Sequence, residues 1–193
     1  MVLSGENVDS FGLLALGSNM SSEFGTPNET IARAIMQLNS NGIQLRAVSR
    51  FYKTPCFPAG AGPDYINAAL AIRTNLMPET LLDRLHTIEL SFGRERIIRW
   101  GARPVDIDLI SLDNIVLPNL ETHALWRNLP LEKQKELAPD QLILPHPRLQ
   151  DRAFVLGPLR DIAMTSRHPI LGLTVGEMFA QLPQTAQDEL KPL

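Results

Sequence analysis

The residue types best suited to chemistry cluster in one stretch, Gly93 to Ile110, which reads GRERIIRWGARPVDIDLI. Arg94, Arg96, Arg99 and Arg103 oppose only Glu95 before the aspartates begin, so a locally cationic segment sits inside a chain of formal net charge -3. Guanidinium forks suit multidentate phosphate binding. Asp106 and Asp108 alternate with Val105, Ile107 and Leu109, so on a strand both carboxylates face one side while the aliphatic residues face the core. Two anions held that close cost energy unless a cation compensates, and hard carboxylate oxygens favour Mg²⁺ bridged to substrate phosphates. Each half has a plain alternative: a solvated basic turn for the arginines, surface carboxylates for the Asp-x-Asp. Joined, they point to a polyphosphate and metal complex, because a triphosphate needs cations for its spread charge and carboxylates to fix the metal.

The chain that must position these groups has 193 residues, which fits one domain. With 44% hydrophobic and 20% charged residues, disorder, collagen-like structure and coiled coil are excluded. The mildly acidic balance gives no whole-chain attraction to nucleic acid or to an anionic membrane. Cys56 is the single cysteine, so neither an internal disulfide nor a multi-cysteine zinc site is possible, which fits a reducing compartment; the cytoplasm is the expected location. Apolar runs such as Phe11 to Leu16 are far shorter than the ~20 residues of a membrane helix. Residues 1–10 form a polar leader with Glu6 and Asp9 and no basic residue, unlike a signal peptide.

Phe11 to Leu16 reads as a buried strand closed by a turn at Gly17-Ser18-Asn19. Thr26, Pro27 and Glu29 have capping-box spacing for a helix bearing Ile31, Ile35 and Leu38 and stopped by Asn41-Gly42. Ile43 to Thr54 alternates as one strand, and Asp64 to Thr74 reads as the next. Pro78 opens a helix with Leu81, Leu82, Leu85 and Ile88 on one stripe, ending near Gly93, and Val105 to Leu112 supplies a further strand. The order predicts an α+β fold: a ferredoxin-like βαββαβ core, an antiparallel sheet covered by helices on one face, followed by a C-terminal extension. Residues 11–193 are expected to form a single domain. Pro118 to Leu144 reads as a loop with one small helix over the charged run Leu131 to Leu137. Thr174 and Glu177 make a second capping box before Val175, Met178, Phe179 and Leu182.

The run from Arg99 to Ile110, RWGARPVDIDLI, resembles the signature of the 6-hydroxymethyl-7,8-dihydropterin pyrophosphokinase (HPPK) family, folate-pathway enzymes that transfer pyrophosphate from ATP to a pterin alcohol. The resemblance extends, in the family's order, through LALGSN at Leu14 to Asn19, FYKTP at Phe51 to Pro55, PDYINAAL at Pro63 to Leu70, IELSFGR at Ile88 to Arg94 and LPHPRLQDRAFVLGPL at Leu144 to Leu159. It implies ATP as co-substrate and two Mg²⁺ ions held by Asp106 and Asp108 between ATP and the pterin hydroxyl. It further implies a catalytic set of Arg94, Arg103, Asp106 and Asp108, with Arg94, Arg96, Arg99 and Arg103 in a loop that closes on ATP. Glu89, His146 and Arg152 match positions near the nucleotide. Trp100 is open between a lid over the nucleotide and a hydrophobic anchor. The pterin is expected between Tyr65 and Phe154, bonded to Asn67 and bordered by Thr54 and Pro55; core packing for the aromatic pair and a strand-end cap for Asn67 are the plain alternatives.

The sequence departs from the family at Ala102, where a proline is common, at His86, where a glutamine is frequent, and in the length of 118–144, read as an insertion. The expected ligands are ATP and the hydroxymethyl pterin, with no nucleic acid, no membrane and no obligate protein partner. A ferredoxin-like nucleic-acid-binding module and a kinase moving one phosphoryl group are the rival functions; the acidic balance and the metal-suited aspartates oppose the first.

Overall fold

The first apolar run forms strand β1, Ser10–Ser18, in the computed structural model, which describes residues 9–39, 42–56, 62–93, 104–130, 133 and 136–193. Gly17 and Ser18 extend the strand rather than turning the chain, because both remain paired to neighbouring strands. Helix α1, Pro27–Leu38, begins as its capping box requires: the Glu29 carboxylate accepts from the Thr26 amide and hydroxyl, each at 2.8 Å. Its Ile31, Ala34, Ile35 and Leu38 are buried.

The single strand expected over 43–54 is two, β2 at Ile43–Val48 and β3 at Tyr52–Thr54. The break has a polar cause. The Ser49 hydroxyl accepts from the Ala69 amide at 2.9 Å and donates to the Arg50 carbonyl at 2.7 Å, so a side chain takes the place of a ladder bond. Strand β4, Tyr65–Thr74, helix α2, Pro78–Ser91, and strand β5, Asp106–Leu112, follow as expected to within a few residues.

Beyond β5 lies helix α3, Leu120–Arg127, whose first turn is capped by Asn119 Oδ1 accepting from the Thr122 amide at 2.9 Å. This helix was not expected there. Of the run expected to be helical, 131–137, only Lys133, Glu136 and Leu137 lie among the described residues, and the Leu137 amide donates to the Lys133 carbonyl at 2.8 Å. Reciprocal backbone bonds between Leu117 and Leu144, at 2.9 and 3.2 Å, draw the two ends of the segment together. A 3₁₀ turn at Leu149–Asp151 leads into α4, Ala153–Ala163, and then α5, Val175–Ala180, α6, Gln184–Asp188, and the short strand β6, Lys191–Pro192. Leu182 falls just after α5, not within it.

The sheet runs β5-β1-β4-β3-β6, with β2 also on β4, and its strand pairings are antiparallel. Leu14, Leu16, Leu70 and Ile107 point toward α1 and α2, whereas Leu13, Ala15, Ala69 and Ala71 point toward α4 and α5. Helices therefore cover both faces, which corrects the expected one-sided covering. The reason is visible in β4, where Ala68, Ala69, Leu70, Ala71 and Ile72 leave no polar face to present to water. Among the described residues, no helix is long and apolar enough to cross a membrane.

Candidate active site

Cross-strand register decides which side chains meet. Gly17 on β1 lies opposite Asp106 of β5 on one side and Asn67 of β4 on the other, and Asn67 in turn faces Tyr52 of β3. Ala15 lies between Asp108 and Ala69 in the same way. Residues directly opposite share a face, so both aspartates, Asn67 and Tyr65 stand on the α4 side of the sheet. Asp106 and Asp108 are half-buried, while Ile107 and Leu109 between and beyond them are buried on the other side.

Glu89 reaches this strand from beneath. Its buried carboxylate, on α2, accepts from the Ile107 amide at 2.7 Å, fastening the backbone between the two aspartates. His146 is tied to the same strand, its amide donating to the Ile110 carbonyl at 2.7 Å. Its Nδ1 accepts from the Arg148 amide at 3.0 Å, so the ring proton sits on Nε2. Burial and then the Arg152 guanidinium push this histidine down to about 3, against the pull of Asp106, and at neutral pH it is an uncharged hydrogen-bond donor. Burial also lowers Arg152, while Asp108 and Asp106 act to keep its charge. Asp106, Asp108, His146 and Arg152 thus form one electrostatic group.

Beside them is a flatter, less charged region. Asn67 Nδ2 donates to Thr54 Oγ1 at 2.8 Å, and both residues are buried. This bond spends one donor of the amide and fixes its plane. A Cβ at Gly17 would lie 3.3 Å from Asn67 Oδ1 and 3.7 Å from Tyr65 Cδ1, so glycine there keeps the floor beside these groups low. Tyr65 is half-buried, and Pro55 is exposed beside Thr54. Phe154 occupies the first turn of α4 with 39% of its surface exposed, and the Arg152 guanidinium lies 5.6 Å from its ring centre. An exposed phenylalanine at a helix start argues against the core-packing alternative for that residue.

Arg94, Arg96, Arg99, Trp100 and Arg103 lie outside the described residues. Sequence reasoning missed the part Gly17 plays, since a glycine in a strand signals close approach only once its cross-strand partners are known. It also missed a polar cluster of Arg50, Tyr52 and Asp161, which joins β3 to α4 across 111 positions of sequence and left no local trace.

An α+β domain that sets paired half-buried carboxylates, a hydrogen-bonded amide and a half-buried tyrosine on one face of its sheet, with an exposed phenylalanine at the start of the helix on that face, has the make-up of an enzyme. The chain belongs to the 7,8-dihydro-6-hydroxymethylpterin-pyrophosphokinase (HPPK) family, whose model matches residues 13–164. It is 36% identical over 172 residues to the 2-amino-4-hydroxy-6-hydroxymethyldihydropteridine pyrophosphokinase of Pseudomonas aeruginosa, covering 88% of this chain and 90% of that one. The folic acid synthesis protein Fol1 of Pneumocystis carinii is 29% identical over 180 residues, which is 93% of this chain but 21% of that longer protein. A crystal structure of Plasmodium falciparum HPPK-DHPS with pterin and p-hydroxybenzoate has a similar fold, with TM-score 0.66 at 14% identity, covering 98% of this chain and 48% of that one. The chain therefore spans under half of the length of these last two proteins and most of the bacterial one.

Proposed function

We propose that this protein transfers pyrophosphate from ATP to 6-hydroxymethyl-7,8-dihydropterin in folate biosynthesis, the reaction of a 2-amino-4-hydroxy-6-hydroxymethyldihydropteridine pyrophosphokinase. The observation that carries the reading is the register that sets the Asp106 and Asp108 pair beside Asn67, Thr54 and Tyr65 on one face. The pterin lies between Tyr65 and Phe154, with its amide edge on Asn67 and Pro55 at its border. ATP lies toward Arg152 and His146, and Arg94, Arg96, Arg99, Trp100 and Arg103 close over it as the family resemblance implies.

The hydroxyl oxygen of the pterin attacks the β-phosphorus in line, the bond from that phosphorus to the α-phosphate oxygen breaks, AMP leaves with that oxygen, and the hydroxyl proton is released to water. Two half-buried carboxylates two residues apart, facing Arg152 and an uncharged His146, are a hard-oxygen donor set that fits Mg²⁺. When bound there, two Mg²⁺ ions would supply charge neutralisation for the triphosphate and the attacking oxygen. Arg152 contributes a fixed positive charge to the leaving nucleotide, and His146 Nε2–H donates to a phosphate oxygen without changing its own charge. Glu89 acts through the Ile107 amide, holding the strand that carries the aspartates.

The element order and the strand sequence β5-β1-β4-β2 support a ferredoxin-like core over residues 11–193, elaborated by the segment 118–144 and by the C-terminal elements. The cytoplasm is the compartment that a chain with Cys56 as its single cysteine suits. Incubation with ATP, Mg²⁺ and the reduced hydroxymethyl pterin, followed by chromatography, tests the function. AMP and the pterin diphosphate ester should appear in equal amounts; ADP with a pterin monophosphate would mean a single-phosphoryl kinase instead.

A further inference from the structure

Asp161 lies seven residues after Phe154 on α4, two helical turns along the same face. Its carboxylate is the hub of a cluster that faces β3. Arg50 donates to it from Nε at 3.1 Å, from Nη2 at 2.8 Å and from the backbone amide at 3.2 Å. The Tyr52 hydroxyl donates to it at 3.0 Å and accepts from Arg50 Nη2 at 2.8 Å. Tyr52 is buried and the Asp161 side chain is 16% exposed, whereas the Arg50 side chain is 59% exposed, so the bonds of the Tyr52 hydroxyl are shielded in part from water and those of Arg50 to Asp161 are open to it. Burial raises the carboxyl of Asp161, but the bonds from Arg50 and Tyr52 outweigh it and hold the group ionised.

The position of this cluster ties it to substrate. Tyr52 is the ladder partner of Asn67, and Thr54, two residues on, is the partner of Tyr65 and the acceptor for Asn67. Phe154, on the other side of the slot, is carried by the helix that Asp161 anchors. Between them α4 rests through Leu156 and Leu159 on Ala69 and Ala71. Aliphatic contact with a row of alanines sets the height of the helix above the sheet, but such contact is not directional and resists rolling weakly. The hydrogen bonds to Asp161 are directional.

We infer that Arg50, Tyr52 and Asp161 are positioning residues that set the width of the slot between Phe154 on α4 and Tyr65 and Asn67 on β4, and so determine pterin affinity. The inference rests on the pterin reading of that slot. ATP, placed toward the aspartates of β5 as well as Arg152 at the start of α4, is held in part by the sheet and depends on that width less than the pterin does.

The test is steady-state kinetics of Asp161→Ala, Asp161→Asn and Tyr52→Phe, each with its melting temperature, alongside Phe154→Ala. Asp161→Ala should raise the KM for pterin about tenfold or more, since a displacement on the order of 1 Å can cost a hundredfold. The KM for ATP should rise by a clearly smaller factor than the KM for pterin. Asp161→Asn, which keeps an acceptor, should recover part of the loss, and Tyr52→Phe should raise the pterin KM severalfold with little change in melting temperature. If Asp161→Ala does not fold, Tyr52→Phe carries the test. Unchanged pterin KM in the folded variants would overturn the inference, as would equal losses for pterin and ATP that track the melting temperature. If Phe154→Ala also leaves the pterin KM unchanged, the slot reading has failed; if it raises that KM while the Asp161 and Tyr52 variants do not, the positioning role of Arg50, Tyr52 and Asp161 alone has failed.

Discussion

Asp106 and Asp108 are separated by one buried isoleucine whose amide is bound to Glu89, so their backbone is fixed before any ligand arrives. Replacing either aspartate by asparagine keeps its shape and removes one negative charge. Because metal charge stabilisation supplies several kcal/mol to phosphoryl chemistry, Asp106→Asn and Asp108→Asn should each reduce turnover by roughly a hundredfold or more. Circular dichroism should show an unchanged fold, since both side chains are half-buried on an open end of the sheet. AMP formation at saturating Mg²⁺ is the measurement, and near-normal rates in both variants would remove the aspartates from the chemistry. His146 carries no charge near neutral pH, because burial holds its ring down to about 3. It therefore adds no ionisation of its own near neutrality to the activity profile.

Helix α3 meets the turn after α4 at two buried histidines, His123 and His168, whose backbone partners bear on their tautomers. His123 Nε2 lies 2.9 Å from the Pro145 carbonyl, which can only accept, so that nitrogen carries a proton, and burial, which lowers the pKa of the ring, favours the neutral form with Nδ1 bare. His168 Nδ1 accepts from the amides of Ile170 and Leu171 at 3.2 and 3.3 Å, so its proton is on Nε2. The remaining atoms, His123 Nδ1 and His168 Nε2, are buried without a partner among the described residues, and the rings stand 6.1 Å apart at 78°. One is an acceptor and the other a donor, an arrangement that requires both rings neutral. Burial, then His123 and Arg127, push His168 down to about 4. A histidine depressed in the folded state contributes stability that is full above its unfolded pKa near 6.5 and is lost as pH falls toward 4. His168→Asn keeps an acceptor for the two amides and cannot protonate. Between pH 7 and pH 4 the stability of the wild type relative to this variant should fall by up to about 3 kcal/mol, read from urea unfolding. A constant difference across that range would show that His168 is not held neutral by the fold.

Burial of the sheet on both faces gives, among the described residues, two aliphatic clusters separated by a single layer of backbone. Leu14, in the cluster under α1 and α2, and Leu156, in the cluster under α4 and α5, are both fully buried. Truncating either to alanine removes transferred methyl groups and leaves a cavity, which costs about 2–5 kcal/mol. Leu14 and Leu156 fall in separate clusters on opposite faces of the sheet, so the double variant Leu14→Ala with Leu156→Ala should lose the sum of the two single losses to within about 0.5 kcal/mol. Equilibrium denaturation measures all three. A nearly neutral Leu156→Ala would mean that the second face is not a core, and a strongly non-additive pair would mean that the clusters are one.

Much of this architecture was legible before any coordinates. The capping boxes at Thr26 and Thr174, the helix starting at Pro78, and the alternation that puts Asp106 and Asp108 on one side of a strand all depend on residues within four positions of one another. Local sterics and local hydrogen bonds act over that range, so the order of residues carries the information. The family resemblance added the expected substrates. The expectations that failed were those needing a partner from elsewhere in the chain. Ile43 to Thr54 alternates as if continuous, yet Ser49 breaks it by bonding to Ala69. Gly17 reads as a turn, yet it is a strand residue placed between Asp106 and Asn67. Arg50 and Asp161 stand 111 positions apart, and nothing near either one announces the other. Register and helix docking arise from many weak non-directional contacts summed over the whole core, and no short segment contains that sum.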